Sequence, residues 1–305
     1  MNVRSLDRIL SVQSHVVHGF VGNKCASFIL QTLGYDVDLI NTVHFSNHTG
    51  YDSVAGTELK EGDIYQIYQS FHENCLSSYN GIITGYMKSA EVGIELAYYI
   101  KQMVPRSIYI CDPVMGDNGK MYVPNCVLDV YKQHLLPLAE IVTPNFFEFK
   151  LLVEDKNSSY PLSIHSGLKD IHKMGPRHIA ITSVEGLKDK HLVLYGSTCE
   201  ASNYKNITTF KIYIPQLPAT FTGTGDCFSA FLLHFVLLTK TNFRISCLAA
   251  TVLLFQILKR TMELQGASGG VYVKELSLLE SADLIRSFNL SKVANTAEEL
   301  GIYID

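Results

Sequence analysis

The segment Thr222-Gly223-Thr224-Gly225-Asp226 opens a long apolar run, residues 228–238, that is typical of a buried helix. Two glycines therefore lie at the predicted start of a helix, where backbone N–H groups have no intrahelical partner. These donors and the helix dipole favour a bound anion, and the Asp226 carboxylate beside them could accept a proton from a hydroxyl group. An anion site next to a base is what phosphoryl transfer to an alcohol requires. The structural alternative is a capped, buried helix that follows a glycine turn.

On the N-terminal side of this motif, short apolar segments alternate with helical patterns. This alternation predicts βαβ units, and hence an α/β fold with a central, mostly parallel sheet and helices on both faces. The predicted strands are 8–14, 36–43, 81–84, 107–111, 140–143 and 178–183. The predicted helices are 23–33, 63–76, 90–102, 125–135, 145–153 and 164–174.

After residue 183 the pattern changes. Two β segments, 191–195 and 208–214, predict a short antiparallel edge, and two long helices follow at 225–238 and 243–263. Since no repeat or linker divides the chain, we expect a single domain over residues 1–305. We expect the region from Ala282 onward to be peripheral.

The composition is that of a well-packed globular chain, with 47% hydrophobic and 18% charged residues among 305. A formal net charge of −4 predicts no basic surface for nucleic acid. No uninterrupted apolar run approaches the roughly 20 residues that span a bilayer, and residues 1–8 show no signal-peptide pattern. The seven scattered cysteines include no CxxC, which favours reduced thiols over disulfides or a zinc site. We therefore expect a cytoplasmic protein that binds neither nucleic acid nor a membrane.

Polar segments follow the predicted parallel strands, at the edge where open parallel sheets bind ligands. They are residues 14–19, 44–51, 84–86, 112–117, 143–148 and 182–183. The carboxylates of Asp112, Asp117 and Glu148 are hard oxygen ligands suited to Mg²⁺. Helix capping or salt bridging remains the alternative for each carboxylate, and Asn145 is typical of an N-cap.

Several other phosphate-binding classes are excluded or weakened by their missing motifs. The chain has no G-x-x-x-x-G-K-[ST], so a P-loop is absent, and residues 19–24 lack the third glycine of a dinucleotide fingerprint. The absence of H-R-D and D-F-G argues against a protein kinase. His15 and His18 fall in a strand-to-helix turn, so we interpret them as turn or pocket residues, not metal ligands.

Six segments in order resemble the pyridoxal kinase family of the ribokinase-like superfamily. They are residues 13–23, Phe45-Ser46-Asn47-His48-Thr49-Gly50-Tyr51, Thr84-Gly85-Tyr86, Asp112-Pro113-Val114-Met115-Gly116-Asp117, Thr143-Pro144-Asn145-x-x-Glu148 and Gly223-Thr224-Gly225-Asp226. The resemblance runs from about residue 8 to about residue 265. It implies a single-domain ribokinase-like α/β fold, usually homodimeric, that transfers the ATP γ-phosphate to the 5′-hydroxymethyl group of pyridoxal, pyridoxine or pyridoxamine.

The resemblance also implies roles for individual residues of the acceptor half of the site. Ser14 and Thr49 would hydrogen-bond the pyridine ring and its substituents, while Val21 and Tyr86 would pack on the ring. Asp226 would be the catalytic base. The anion hole would be formed by Gly223, Thr224 and Gly225.

On the nucleotide side, the resemblance implies ATP as co-substrate and two kinds of cation. The residues around the nucleotide would be Asp112, Asn145, Thr182, Ser183 and Thr224. Asp117 and Glu148 would lie around Mg²⁺, or another divalent ion such as Zn²⁺, directly or through water. A monovalent cation, K⁺ or Na⁺, would fall at Asp112, Thr143 and Thr182. The lid-like loop 118–124 is short for this family, so we expect the phosphates to be covered differently.

Two alternatives stay open at this stage. One is a related kinase for hydroxymethylpyrimidine, a sugar or a nucleoside, against which His48-Thr49-Gly50-Tyr51 argues because it suits an aromatic heterocycle. The other is a non-catalytic pyridoxal phosphate carrier or nucleotide-gated regulator on the same fold. The presence of Asp226 and both glycines weighs against that second alternative.

Overall fold

The parallel strands predicted from the apolar segments form the centre of one continuous sheet. The computed structural model describes residues 7–153, 163–185, 191–200, 206–240, 242–265 and 275–305. Its strands are β1 (Arg8–Val16), β2 (Asp36–Phe45), β3 (Gly56–Glu58), β4 (Gly81–Thr84), β5 (Ile108–Cys111), β6 (Gly116–Asp117), β7 (Lys120–Met121), β8 (Ile141–Val142), β9 (His178–Glu185), β10 (His191–Cys199), β11 (Ile207–Pro215) and β12 (Tyr303–Ile304). Over the described residues, the large sheet has the order β12-β11-β10-β9-β8-β5-β4-β1-β2-β3.

The pairing is parallel from β2 through β1, β4, β5 and β8 to β9. Both edges are antiparallel: β3 pairs with β2 on one side, and β10, β11 and β12 extend the other side. The predicted α/β fold with a mostly parallel sheet is therefore confirmed. The antiparallel part is longer than expected, because β10 and β11 are each nine residues long.

Helices cover both faces of this sheet. They are α1 (Gly22–Thr32), α2 (Asp63–Glu73), α3 (Ala90–Met103), α4 (Asn125–Val130), α5 (Phe146–Val153), α6 (Ile164–Met174), α7 (Thr224–Thr239), α8 (Phe243–Gln265), α9 (Ala282–Ser287) and α10 (Val293–Glu299). The helix predicted at 125–135 is α4 followed by a π-helical turn, Tyr131–Leu135.

Each face of the sheet has its own apolar layer, because successive strand residues point to opposite faces. In β4, Ile83 joins the layer formed with α1 and α7 to α10, and Ile82 joins the layer formed with α2 to α6. All four residues of β4 are buried. Because these strands are buried on both faces, their sequences are continuous apolar runs.

The expectation of a peripheral C-terminal region is wrong. Ile285, Val293 and Ala297 are buried in the same layer as α7 and α8, and β12 adds a strand to the sheet by pairing with β11. The helices α9 and α10 are only six and seven residues long. Each contributes one or two buried apolar side chains, which is too few to produce a recognisable period.

The helix α8 has the length and composition of a membrane span. It is 23 residues long with a mean hydropathy of 1.4, although 61% of that apolar window is buried inside the protein. It packs against α7 in the apolar layer described above. Its hydrophobicity is that of a core helix, since most of its side chains contact other parts of the chain.

Two adjacent leucines provide a matched test of this packing. Leu278 is fully buried, whereas Leu279 is 60% exposed. We expect Leu278→Ala to lower the free energy of unfolding by about 2–5 kcal/mol, because it leaves a cavity in the core. Leu279→Ala should change it by less than about 0.5 kcal/mol. Denaturant unfolding of both variants measures this, and equal losses would contradict the described packing of the C-terminal segment.

Candidate active site

A cavity of about 380 Å³ lies at the carboxyl ends of the parallel strands. It is lined by every residue to which the family resemblance assigned a role. These residues are Ser14, Val21, Thr49, Tyr86, Asp112, Asp117, Thr143, Asn145, Glu148, Thr182, Ser183, Gly223, Thr224, Gly225 and Asp226. The predicted gathering of these side chains at one edge of the sheet is therefore observed, while their individual roles remain predictions.

The starts of α1 and α7 meet at the wall of this cavity. Gly223 precedes α7 with a φ of +78°, and a Cβ built there would lie 2.4 Å from the Phe20 carbonyl oxygen. Only glycine fits such a position, because it needs both left-handed backbone and close approach of another chain segment. On the other side, the Gly22 N–H at the start of α1 donates a hydrogen bond to the Asp226 carboxylate. The free N–H groups of α7 consequently face the cavity beside Asp226.

Asp226 is a partly buried carboxylate at the first turn of α7. Burial raises its pKa from 3.8 to about 6, and the hydrogen bond from Gly22 offsets part of this rise. A carboxylate with a pKa near 6 is ionised at neutral pH and is a stronger proton acceptor than an ordinary aspartate. The site therefore contains a base adjacent to a group of anion-binding N–H donors.

Asp112, at the end of β5, adds a second buried carboxyl group. Burial and the negative charge of Asp226 raise its pKa to about 8, although hydroxyl hydrogen bonds oppose the rise. The Ser229 hydroxyl donates to Asp112 Oδ2 at 3.0 Å and lies 3.0 Å from the Thr143 hydroxyl. Carboxyl and hydroxyl oxygens are the donors that a hard cation requires, so a cation fits this place chemically.

Glu148 caps the start of α5, which is one of the alternatives that the sequence did not decide. Asn145 Oδ1 accepts from the Glu148 N–H at 2.9 Å, while Glu148 Oε2 accepts from the Asn145 N–H at 2.9 Å. This reciprocal pair is a capping box at the start of α5. The other oxygen, Oε1, accepts from the Met115 N–H at 2.9 Å. Burial and the charge of Asp112 nevertheless raise the pKa of Glu148 well above its usual value. A nearby cation would favour the ionised carboxylate and so lower this pKa.

A divalent ion would find few protein ligands here. No group of three or more His, Cys, Asp or Glu side chains that could hold a metal occurs in the described part of the chain. Asp117 is exposed at the cavity, and its Oδ1 accepts from the Asn118 N–H at 2.8 Å. Such a donor set suits Mg²⁺, which keeps several waters and is held largely by substrate phosphates.

The cavity is also lined by Ser14, Val21, Thr49 and Tyr86. The backbone around Tyr86 is anchored, because its carbonyl accepts from the Thr42 hydroxyl at 2.7 Å. The preceding Gly85 carbonyl accepts from the buried Tyr131 hydroxyl at 3.0 Å. An aromatic ring next to an aliphatic side chain and two hydroxyls suits a flat, polar heterocycle.

Neither His15 nor His18 lines this cavity. The His15 ring packs edge-on against His44 with centroids 5.3 Å apart, and His18 packs on Tyr51 at 6.3 Å. His18 lies in the turn after β1, whereas His15 lies within β1 and pairs with His44 of β2. The turn interpretation is therefore wrong for His15, and the pocket-lining interpretation is wrong for both residues. Cys227, which follows Asp226, is fully buried with its Sγ 3.6 Å from that of Cys25.

Several residues that line the cavity were not site candidates from the sequence, among them Tyr122, His48, Thr220 and Phe221. Tyr122 lines the cavity after a tight hairpin in which β6 pairs with β7. Asn118 and Gly119 form its turn with φ of +50° and +79°, as a two-residue hairpin of the Asn-Gly type requires. The Asn-Gly dipeptide in the short lid-like loop was the available signal. His48 also lines the cavity, beside the predicted Thr49.

The raised pKa of Asp226 predicts a pH-dependent stability. The folded-state pKa of about 6 exceeds the usual 3.8, so the folded protein binds the proton more tightly and loses stability as pH rises from about 4 to about 6. The Asp226→Asn variant has no carboxyl group to ionise at this position, so it does not lose stability in this way as the pH rises. Because the side chain is only partly buried, we expect a gain of about 1–2 kcal/mol at pH 8 rather than the full ~3 kcal/mol.

The measurement is denaturant unfolding of both proteins without ligands at pH 8 and pH 5. The advantage of the Asp226→Asn variant should be smaller at pH 5. A variant less stable than the parent at pH 8 would show that the carboxylate acts mainly as a helix cap.

A family model described as phosphomethylpyrimidine kinase matches residues 34–264. Curated relatives over nearly the whole chain are pyridoxal kinases. The one from Ovis aries is 36% identical over 298 residues, covering 92% of this chain and 95% of its own length. The one from Arabidopsis thaliana is 39% identical over 261 residues, covering 84% and 82%.

Solved structures agree with the curated relatives. Pyridoxal kinase from Leishmania donovani, in complex with ADP and pyridoxamine, is 28% identical with a TM-score of 0.82, covering 92% of this chain and 96% of that one. Pyridoxal kinase from Trypanosoma brucei is 31% identical with a TM-score of 0.78, covering 93% and 96%. With its fold, its cavity and these full-length likenesses, the chain belongs to the pyridoxal kinase family.

Proposed function

We propose that this protein phosphorylates the 5′-hydroxymethyl group of pyridoxal, and of pyridoxine and pyridoxamine, with ATP as the phosphate donor. The observation that carries the proposal is the pairing of Asp226, whose pKa is raised to about 6, with the N–H groups at the start of α7. A proton acceptor and an anion site share one cavity, in a chain that belongs to the pyridoxal kinase family.

In the proposed reaction, the Asp226 carboxylate takes the proton of the 5′-hydroxyl group as its oxygen attacks the γ-phosphorus. The bond between this phosphorus and the β,γ-bridging oxygen of ATP breaks, that oxygen leaves with ADP, and the products are pyridoxal 5′-phosphate and ADP. The backbone around Gly223, Thr224 and Gly225 stabilises the charge on the transferred phosphoryl oxygens. These groups are already oriented in the folded protein, so little reorganisation is needed.

The acceptor side of the cavity orients the vitamin. Ser14 and Thr49 offer hydrogen bonds to the ring substituents, and Val21 and Tyr86 pack on the ring faces. On the other side, the nucleotide lies among Asp112, Asn145, Thr182, Ser183 and Thr224. Asp117 and Glu148 would lie around Mg²⁺, or another divalent ion such as Zn²⁺, which would neutralise charge on the phosphates. A monovalent cation, K⁺ or Na⁺, would be held at Asp112, Thr143 and Thr182.

Hydroxymethylpyrimidine is the rival acceptor that the family model's description raises. Full-length likeness to pyridoxal kinases and the His48-Thr49 pair in the cavity favour the vitamin. A non-catalytic binding protein is disfavoured, because such a protein would not need a carboxylate with a raised pKa beside the anion site. We further propose a cytoplasmic homodimer, on the strength of the family resemblance and of cysteines that are all free in the described residues.

Asp226→Asn tests the base. It keeps the size of the side chain but removes the proton acceptor, so we expect kcat to fall by at least about 10²-fold. The N–H groups of α7 stay in place, so pyridoxal and ATP should bind with near-normal affinity. A coupled ATP-turnover assay with pyridoxal, hydroxymethylpyrimidine, ribose and adenosine measures both the loss and the choice of acceptor.

Asp129→Asn is the matched control, since Asp129 is exposed on α4 away from the cavity. It should retain the parental rate. Full turnover by the Asp226→Asn variant would exclude Asp226 as the base. Faster turnover with hydroxymethylpyrimidine than with any B6 vitamer would replace the proposed substrate.

Ser14→Ala and Thr49→Ala test the vitamin side separately. Each removes one hydrogen-bond partner of the bound heterocycle, so each should weaken pyridoxal binding by about 1–2 kcal/mol. ATP affinity, measured by titration calorimetry, should stay nearly unchanged. Loss of ATP binding with normal pyridoxal binding would mean that the two halves of the cavity are reversed.

A further inference from the structure

Glu275 connects the C-terminal segment to two loops that form the vitamin side of the cavity. It follows the long helix α8 in the chain and is largely buried, with 23% of its side chain exposed. Its carboxylate lies against the turn after β1 and against the loop after β2. Glu275 itself does not line the cavity, so any effect on a substrate is transmitted through its neighbours.

The first contact is with the turn that precedes α1. Glu275 Oε2 accepts a hydrogen bond from the Phe20 N–H at 3.2 Å. Gly19 permits this approach, because a Cβ on it would lie 2.6 Å from Glu275 Oε1. Phe20 precedes Val21 of the cavity wall, and its carbonyl oxygen is the one that lies against Gly223. The carboxylate thus holds a turn that touches both the proposed ring-packing residue and the anion hole.

The second contact is with His48, which lines the cavity beside Thr49. His48 Nε2 lies 3.2 Å from Glu275 Oε1. The other ring nitrogen, Nδ1, accepts a hydrogen bond from the Gly50 N–H at 3.1 Å. In the neutral ring the proton is therefore on Nε2, the nitrogen that faces the carboxylate. The Gly50 hydrogen bond thus sets the tautomer, and the Glu275 carboxylate lies at ion-pair distance from the Nε2 side of the ring without hydrogen-bond geometry.

Tyr51 makes a third contact in the same loop. Its hydroxyl hydrogen-bonds to Glu275, and its ring packs on that of His48 with centroids 4.6 Å apart. Glu275 therefore contacts residues on both sides of Thr49. Glu275 Oε1 is buried and has no partner with hydrogen-bond geometry, so the neighbouring Nε2 of His48 is the group placed to satisfy it.

We propose that Glu275 is a positioning residue for the vitamin, which holds the His48–Tyr51 loop against the Gly19–Val21 turn so that Thr49 and Val21 face the bound ring. This inference rests on the proposed function for the identity of the ring. It assigns to the C-terminal segment a share in recognition of the acceptor and none in recognition of the nucleotide.

Glu275→Gln should keep the contact with the Phe20 N–H and disrupt the contact with His48. The amide oxygen can still accept from the Phe20 N–H, but the amide nitrogen then faces the protonated Nε2 of His48, and two donors oppose each other. We expect the KM for pyridoxal to rise about 10-fold, with kcat within about threefold and the KM for ATP within about twofold of the parent. Glu280→Ala, a change at an exposed glutamate of the same segment, is the control and should alter none of these.

A double-mutant cycle with His48→Ala tests whether Glu275 acts through the imidazole. The combined variant should have the same KM for pyridoxal as His48→Ala alone, since the contact is already lost. Hydrogen exchange of residues 46–55 in ligand-free protein gives a readout that needs no substrate, and it should be faster in Glu275→Gln. Retained circular dichroism of the variant excludes general unfolding.

Parental KM values together with parental exchange in Glu275→Gln would overturn the proposal, and so would an equal rise in the KM for ATP. Additive effects of the two substitutions would also overturn it, because they would show independent roles. Failure of the parent protein to turn over any B6 vitamer is a different result. It would refute the proposed function, while the exchange measurement would still decide whether Glu275 holds the loop.

Discussion

The contact between the starts of α1 and α7 is the constraint on which the site depends. Gly223 can lie against the Phe20 carbonyl only because it has no side chain, and Gly22 donates to Asp226 across the same boundary. Two helix N-termini are thereby placed side by side at one end of the sheet. Their unpaired N–H groups and positive dipole ends converge where negative charge must be accommodated. The Asp226 carboxylate and the free N–H groups of α7 are consequently parts of one packing arrangement.

This arrangement has a cost in stability. Asp112, Glu148 and Asp226 are carboxyl groups brought into one cavity, and burial raises the pKa of each. A protein selected only for stability would replace such groups with apolar or amide side chains. In the proposed function, cations would offset the carboxylate charge, and the helix N-termini would attract the phosphates of the substrate. The free protein is therefore strained electrostatically in a way that its ligands relieve.

The central sheet and the cavity could be predicted because they depend on local patterns. Buried parallel strands are short apolar runs, and the polar residues that follow them must meet at one edge. The prediction was weaker where structure depends on partners distant in the chain. Glu275 contacts Phe20 across 255 residues, and nothing in the residues around Glu275 indicates that contact. The same holds for β12, whose two residues are a strand only because β11 offers an unpaired edge.

The C-terminal position of α7 to α10 has a consequence for how the chain folds during synthesis. These helices form the apolar layer that covers β1, β4 and β5 on one face of the sheet. The strands emerge from the ribosome first, and on this face they are covered only by α1 until about the last quarter of the chain follows. Many contacts in that layer are long-range, which slows folding. The nascent N-terminal half is thus a half-covered sheet, and we expect it to depend on chaperones more than the finished protein does.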